Sequence, residues 1–121
     1  MAILKDNIIY DNDVKFQVID GFIPKNYSIW NAHILEIGER TFLKLYNDDK
    51  VNNFQVCIDD LLAIEVSPED AKIIDLCYCS GGRNPKEVKR ALKSKREYIR
   101  KRAEMIKPYV EKLFNVKIET N

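Results

Sequence analysis

The stretch GGRNPKEVKRALKSKREYIRKRAEMIKP, Gly81 to Pro108, holds eleven Lys or Arg against three Glu. Its opening is helix grammar. Asn84 is a good N-cap because its side-chain oxygen accepts an otherwise unpaired amide. Pro85 loses nothing at the first helical position, and Glu87 stands three residues after the cap. From there Val88, Leu92, Ile99, Ala103 and Ile106 recur at helical spacing. This pattern predicts one unbroken amphipathic helix from Pro85 to Lys107. Pro108 should kink or end it, with Tyr109, Val110, Leu113 and Phe114 forming a short last helix.

Cations occupy the flank of that helix. At about 100° per residue from Val88, the apolar residues lie between about 0° and 60°. Lys86, Lys89, Lys93, Arg96, Arg100 and Lys107 lie between about 80° and 160°, with Arg90 and Lys101 near 200–220°. The expected result is one basic ridge roughly 30 Å long. Duplex DNA carries a phosphate charge about every 1.7 Å along its axis, and neutralising phosphates releases counterions. The expected nucleic-acid contacts are therefore Lys86, Lys89, Arg90, Lys93, Arg96, Arg100, Lys101 and Lys107. Tyr98 falls off the stripe, so no stacking platform for single strands is evident. A purely structural reading pairs the same cations with the protein's own carboxylates.

Upstream, Ser67-Pro68-Glu69-Asp70 repeats the grammar of a helix start, and Gly81-Gly82 stops that helix. Ala71, Ile74, Cys77 and Tyr78 share one of its faces. Residues 8–66 read as short antiparallel strands. Val14–Val18 and Phe54–Ile58 alternate apolar with polar. His33–Ile37 and Thr41–Tyr46 flank Gly38-Glu39-Arg40 as a hairpin. Leu61–Val66 is the last strand. Phe22, Tyr27 and Trp30 are expected in the core, the alternative being an exposed aromatic patch for a partner.

The chain has 121 residues, 45% of them hydrophobic, which suits one domain with a real core. No apolar run approaches the roughly 18–20 residues needed to span a bilayer, and acids close behind the first apolar run argue against a secretory signal. A cytoplasmic setting follows, with the three cysteines reduced. The net charge of +1 hides a split: residues 1–82 carry −7 and residues 83–121 carry +8. Such asymmetry points to a partner.

Two resemblances add to this reading. FQVCI-DD-LLAIEV resembles the end of small SH3-like or Sm-like barrels. SPEDAKIIDLCYCSGGRNPKEVKRALKSKREYIRKR resembles a helix-turn-helix, with Glu87-Val88, Ala91-Leu92 and Tyr98-Ile99-Arg100 near its packing positions. That family commonly has Gly in the turn and a small residue inside the preceding helix. Here Lys93 and Lys89 hold those places, and Ser94 fills an apolar slot. These departures favour the unbroken helix. The motif would imply that a second helix carries Lys95, Arg96, Arg100 and Lys101 toward a DNA groove.

Catalytic signals are sparse. His33 is the single histidine and lacks a nucleophile motif around it. His33, Cys57, Cys77 and Cys79 do not match zinc spacing, because C-x-C in a helix points its thiols apart. Asp48-Asp49 and Asp59-Asp60 read as turns, and Gly81-Gly82 lacks a phosphate-loop pattern. The expected fold is α+β: a small antiparallel sheet or SH3-like barrel over residues 8–66, then two or three helices over 68–115, the main one long and basic. The expected function is non-enzymatic: a small nucleic-acid-binding accessory or regulatory protein, without cofactor, metal, membrane or small-molecule substrate. The alternative is a protein-interaction or assembly subunit of phage or mobile-element type. It would bind an acidic protein surface or form a homo-oligomer through its oppositely charged halves.

Overall fold

The computed structural model describes residues 2–29, 34–48, 61–77 and 82–119. Among the described residues, seven strands precede three helices: β1 Ala2–Lys5, β2 Ile8–Asp11, β3 Val14–Ile19, β4 Tyr27–Ser28, β5 Ile34–Ile37, β6 Arg40–Asn47 and β7 Leu62–Val66. The helices are α1 Pro68–Cys77, α2 Pro85–Leu92 and α3 Glu97–Phe114. No helix among the described residues is long and apolar enough to cross a membrane.

β1, β2 and β3 form two successive tight hairpins. Asp6 and Asn7 take φ 54° and 62° at the first turn, which suits the twist of a two-residue hairpin loop. β5 and β6 form the expected hairpin about Gly38, at φ 63°. The sheet order is β1-β2-β3-β7-β6-β4, with β5 also on β6. β5 pairs with Arg40–Leu43 and β4 with Tyr46–Asn47, so both lie along one edge of β6.

Three expectations about the sheet change. The strands are not all antiparallel: β3 runs parallel to β7, Gln17 opposite Leu62 through Ile19 opposite Ile64. β1, β2 and β4 are additional strands. The barrel is not closed: β1 comes beside β5, but no ladder joins them among the described residues. The strand expected at Phe54–Ile58 lies outside the described residues.

Curling divides the core in two. Phe42 faces the side away from the helices, in a cluster with Ile9, Phe16, Leu35, Leu61 and Ala63. Leu43 and Leu45 face the helices, against Ile64, Ile74, Val88, Ile106 and Val110. A strand buried on both faces reads as a continuous apolar run rather than an alternating one. That accounts for Thr41-Phe42-Leu43-Lys44-Leu45, where Lys44 alone breaks the run. Its Nζ lies 3.9 Å from Asp11 and 5.8 Å from the Phe16 ring centroid. The apolar stem stays against the core while the ammonium reaches a carboxylate.

The helix starts follow their local chemistry in two cases. The Asp70 amide donates to Ser67 Oγ at 3.1 Å, and the Glu87 amide to Asn84 Oδ1 at 2.9 Å. The helix expected from Pro85 to Lys107 is instead two helices. α2 ends at Leu92, where the amides of Lys93 and Ser94 donate to the carbonyls of Arg90 and Ala91. Ser94 Oγ then accepts from the Arg96 amide at 3.2 Å, a local bond that competes with helix. α3 resumes at Glu97 and runs through Pro108 without ending there. Pro108 is exposed, so water can serve the carbonyl one turn back that its ring leaves unpaired. Asn115, at φ 53°, closes the helix in a left-handed cap. Phe22 also departs from expectation: it is 55% exposed, while Tyr27 is half-buried and Trp30 lies outside the described residues.

Candidate nucleic-acid interface

Val88 and Ala91 of α2 and Ala103, Ile106 and Val110 of α3 are buried. Both helices place their apolar residues in the helix-side core, and the exposed cations Lys93, Lys95 and Arg96 lie in the segment that joins them. The continuous ridge predicted from the sequence is therefore absent. Lys86, Lys89 and Arg90 stand on α2, and Lys93 is its C-cap. Arg96 is the N-cap of α3, which carries Arg100, Lys101 and Lys107. What replaces the ridge is a basic corner. From Lys89 to Arg100 the chain holds six Lys or Arg against Glu97 alone.

Lys86, Lys89, Arg90, Lys93, Lys95, Arg96 and Lys101 are exposed, while Arg100 and Lys107 are half-buried. Arg100 turns inward: its Nη1 donates to the Ser94 carbonyl at 3.2 Å and ties the first turn of α3 back to the bend. Arg100 thus gives one of its guanidinium donors to the turn. Lys101 pairs with Glu97 at 3.1 Å in an exposed i,i+4 bridge, an arrangement worth only about 0.3–0.5 kcal/mol.

The protein's own carboxylates do not cover this corner. Lys112 pairs with Asp70 at 2.9 Å, and the Arg83 charge acts on Asp48, so the links between the basic tail and residues 1–82 lie away from this corner. Arg40–Glu65 and Lys44–Asp11 close within the sheet. Arg83 and Glu87 form a two-point pair, at 2.7 and 2.8 Å, within the start of α2. Among the described residues, Lys89, Arg90, Lys93, Lys95 and Arg96 meet no carboxylate within ion-pair distance.

Local electrostatics at the corner are mixed: Glu97 in the first turn of α3 suits the helix dipole, while the cations around it do not. The start of α3 carries the positive end of an 18-residue helix dipole. Arg96 gives it no side-chain cap, and Lys95 adds a further cation. Tyr98, 59% exposed, stands in the same first turn.

At the opposite end of α2 lies a second polar cluster. Asp48 Oδ2 accepts from Asn84 Nδ2 at 3.3 Å. Burial pushes the Asp48 carboxyl above its ordinary range, opposed by a hydrogen bond from Ser28 and reinforced by the nearby Glu87 charge. This carboxylate lies beside the Asn84 cap, where the sequence shows only turn chemistry.

His33, Cys57, Cys79, Asp49, Asp59, Asp60 and Gly81 lie outside the described residues, as does the side chain of Cys77. Sequence reasoning overlooked Lys25 and Lys117, which the fold brings to the start of α2 with Lys86. No local signal marks them, because their meeting depends on how Ile23–Tyr27 and Val116–Glu119 pack beside α2. No family model, curated protein or solved structure matches this chain.

Proposed function

We propose that this protein is a non-enzymatic nucleic-acid-binding accessory or regulatory protein that grips phosphates with the basic corner between α2 and α3. The observation that carries this reading is the run of exposed cations from Lys89 to Arg96 without carboxylate partners among the described residues. Two helices joined through Lys93–Arg96 also match the helix-turn-helix resemblance better than one helix does. In that arrangement the start of the second helix approaches the duplex, and here it carries Lys95, Arg96, Tyr98 and Lys101. An uncapped helix start adds amides and a dipole suited to a phosphate.

Retention on a duplex against salt tests this. Four or five phosphate contacts give a log–log slope of about −3 to −5. Replacing exposed Lys95 and Arg96 together with Glu should flatten the slope and leave the circular dichroism unchanged. A flat slope for the unaltered protein, or equal retention by the variant, would overturn the reading.

The second reading is head-to-tail self-association. It draws on the same scarcity of internal pairing, which leaves exposed Asp6, Asp13, Asp20, Glu39 and Asp75 of the acidic half open to another copy. Sedimentation as a monomer at high concentration and low salt would remove it.

A further inference from the structure

We infer that a groove beside the start of α2, which shares only Lys89 with the basic corner, binds an extended segment of a partner protein whose acidic side chains alternate with apolar ones. The groove begins as a cavity of about 580 Å³. Its apolar lining comes from Ile23, Pro24, Tyr27, Pro85, Phe114 and Val116. A second hollow of about 400 Å³ continues it along Val116–Glu119, sharing Pro85, Lys86 and Val116. Lys25 and Lys86 line the first part, and Lys86, Lys89 and Lys117 the second. Among the described residues none of these four lysines has an ion pair. Asp48 lines one end but is engaged by Asn84, and Glu119 lines the other.

The wall of the second hollow narrows the choice of occupant. Val116–Glu119 follows α3 and belongs to no helix or strand. Ile118 is buried between exposed Lys117 and Glu119, and its amide donates to Glu111 Oε2 at 2.8 Å. The amides of Lys117 and Glu119 meet no acceptor among the described residues. In this wall the Ile118 amide is engaged and the amides on either side of it are not, an alternation that suits pairing with an added strand. A small anion would use the lysines and leave the apolar floor bare. A purely apolar ligand would leave the lysines unpaired. An acidic and apolar strand answers the floor, the lysines and the amides together.

The test uses the full chain and a short fluorescein-labelled peptide of alternating Glu and Val, read by fluorescence anisotropy. Saturable binding is expected, weakened about tenfold or more when Lys86 and Lys117 are both replaced with Glu. Both side chains are exposed, and an unchanged melting temperature confirms that the variant is folded. The Lys95→Glu, Arg96→Glu protein should bind the peptide normally while losing the duplex, which keeps the two sites distinguishable. The inference fails if a Glu and Ser peptide binds equally well, or if a short duplex displaces the peptide. It fails equally if the corner variant weakens the peptide as much as the groove variant. Salt-sensitive dimerisation of the protein, with no peptide bound, would assign the groove to a second copy and overturn the partner-strand proposal.

Discussion

At the start of α2, Asn84 accepts the Glu87 amide, Pro85 opens the first turn, and Arg83 grips Glu87 with two hydrogen bonds. At the start of α3, Arg96 holds the same position, offers no acceptor and faces a dipole of its own sign. The first helix begins where local chemistry favours a helix start. The second begins with Glu97 as its one favourable local feature and a cation in place of a cap, so packing must supply more of it. The difference separates a stability feature from a candidate functional one. A well-capped start satisfies its own amides, whereas an uncapped, cationic start is left complementary to an anion.

The imposing force is geometric. An unbroken helix from Pro85 to Phe114 would have 30 residues and extend about 45 Å. A compact body of this chain length is only about 35 Å across. Part of such a helix would overhang the sheet with its apolar face in water. Breaking at Lys93–Arg96 returns Val88, fully buried, to the same core as Ile106 and Val110. Apolar periodicity could not reveal this. On a continuous helix Val88, Ile106, Val110 and Leu113 would still fall within about 60° of one another.

The largest effect that bears on this contrast comes from the shared core. Ile106→Ala should cost about 2–5 kcal/mol in urea unfolding, and Val88→Ala about 1–3 kcal/mol. Were α2 instead the free end of a long helix, Val88→Ala would stay within about 0.5 kcal/mol. Next come the two caps. Asn84→Ala should lose about 1 kcal/mol. Arg96→Asp should gain about 0.5–1 kcal/mol, by supplying an acceptor and reversing the charge at the dipole, and yet weaken duplex retention. Destabilisation by Arg96→Asp would mean that the second helix does not begin at Glu97.

The smallest effect belongs to Asp48. Its raised carboxyl binds a proton more tightly in the folded chain than in the unfolded one. Stability from this group therefore falls as pH rises from the ordinary carboxylate range through the raised folded value, then levels off. Asp48→Asn should raise the melting temperature slightly at pH 7, with the difference shrinking as pH falls toward that range. A difference independent of pH would show that burial of this charge is not what the substitution relieves.

The site was only partly legible in the chain. Lys95 and Arg96 stand out as cations of a basic run, but their exposure at a bend does not. Ser94 is the one local mark of that bend, set among lysines and arginines that favour helix. β1 was legible in principle: Asp6-Asn7 between AILK and IIYD is a hairpin signal. The parallel pairing of β3 with β7 was not, since nothing in either strand specifies a partner more than 40 residues away. Nor does any pattern join Lys25 and Lys117 to Lys86.

By itself the sequence determined the mixture of strands followed by helices, the caps at Ser67 and Asn84, the hairpin at Gly38, and the split of charge between the halves. Those features rest on bonds and turns spanning a few residues, so nearby identities suffice. Only the tertiary structure decided where the basic segment bends, which strands lie parallel and which lysines share a groove. Each of these depends on how much apolar surface the sheet can cover, a quantity that no short stretch of chain contains.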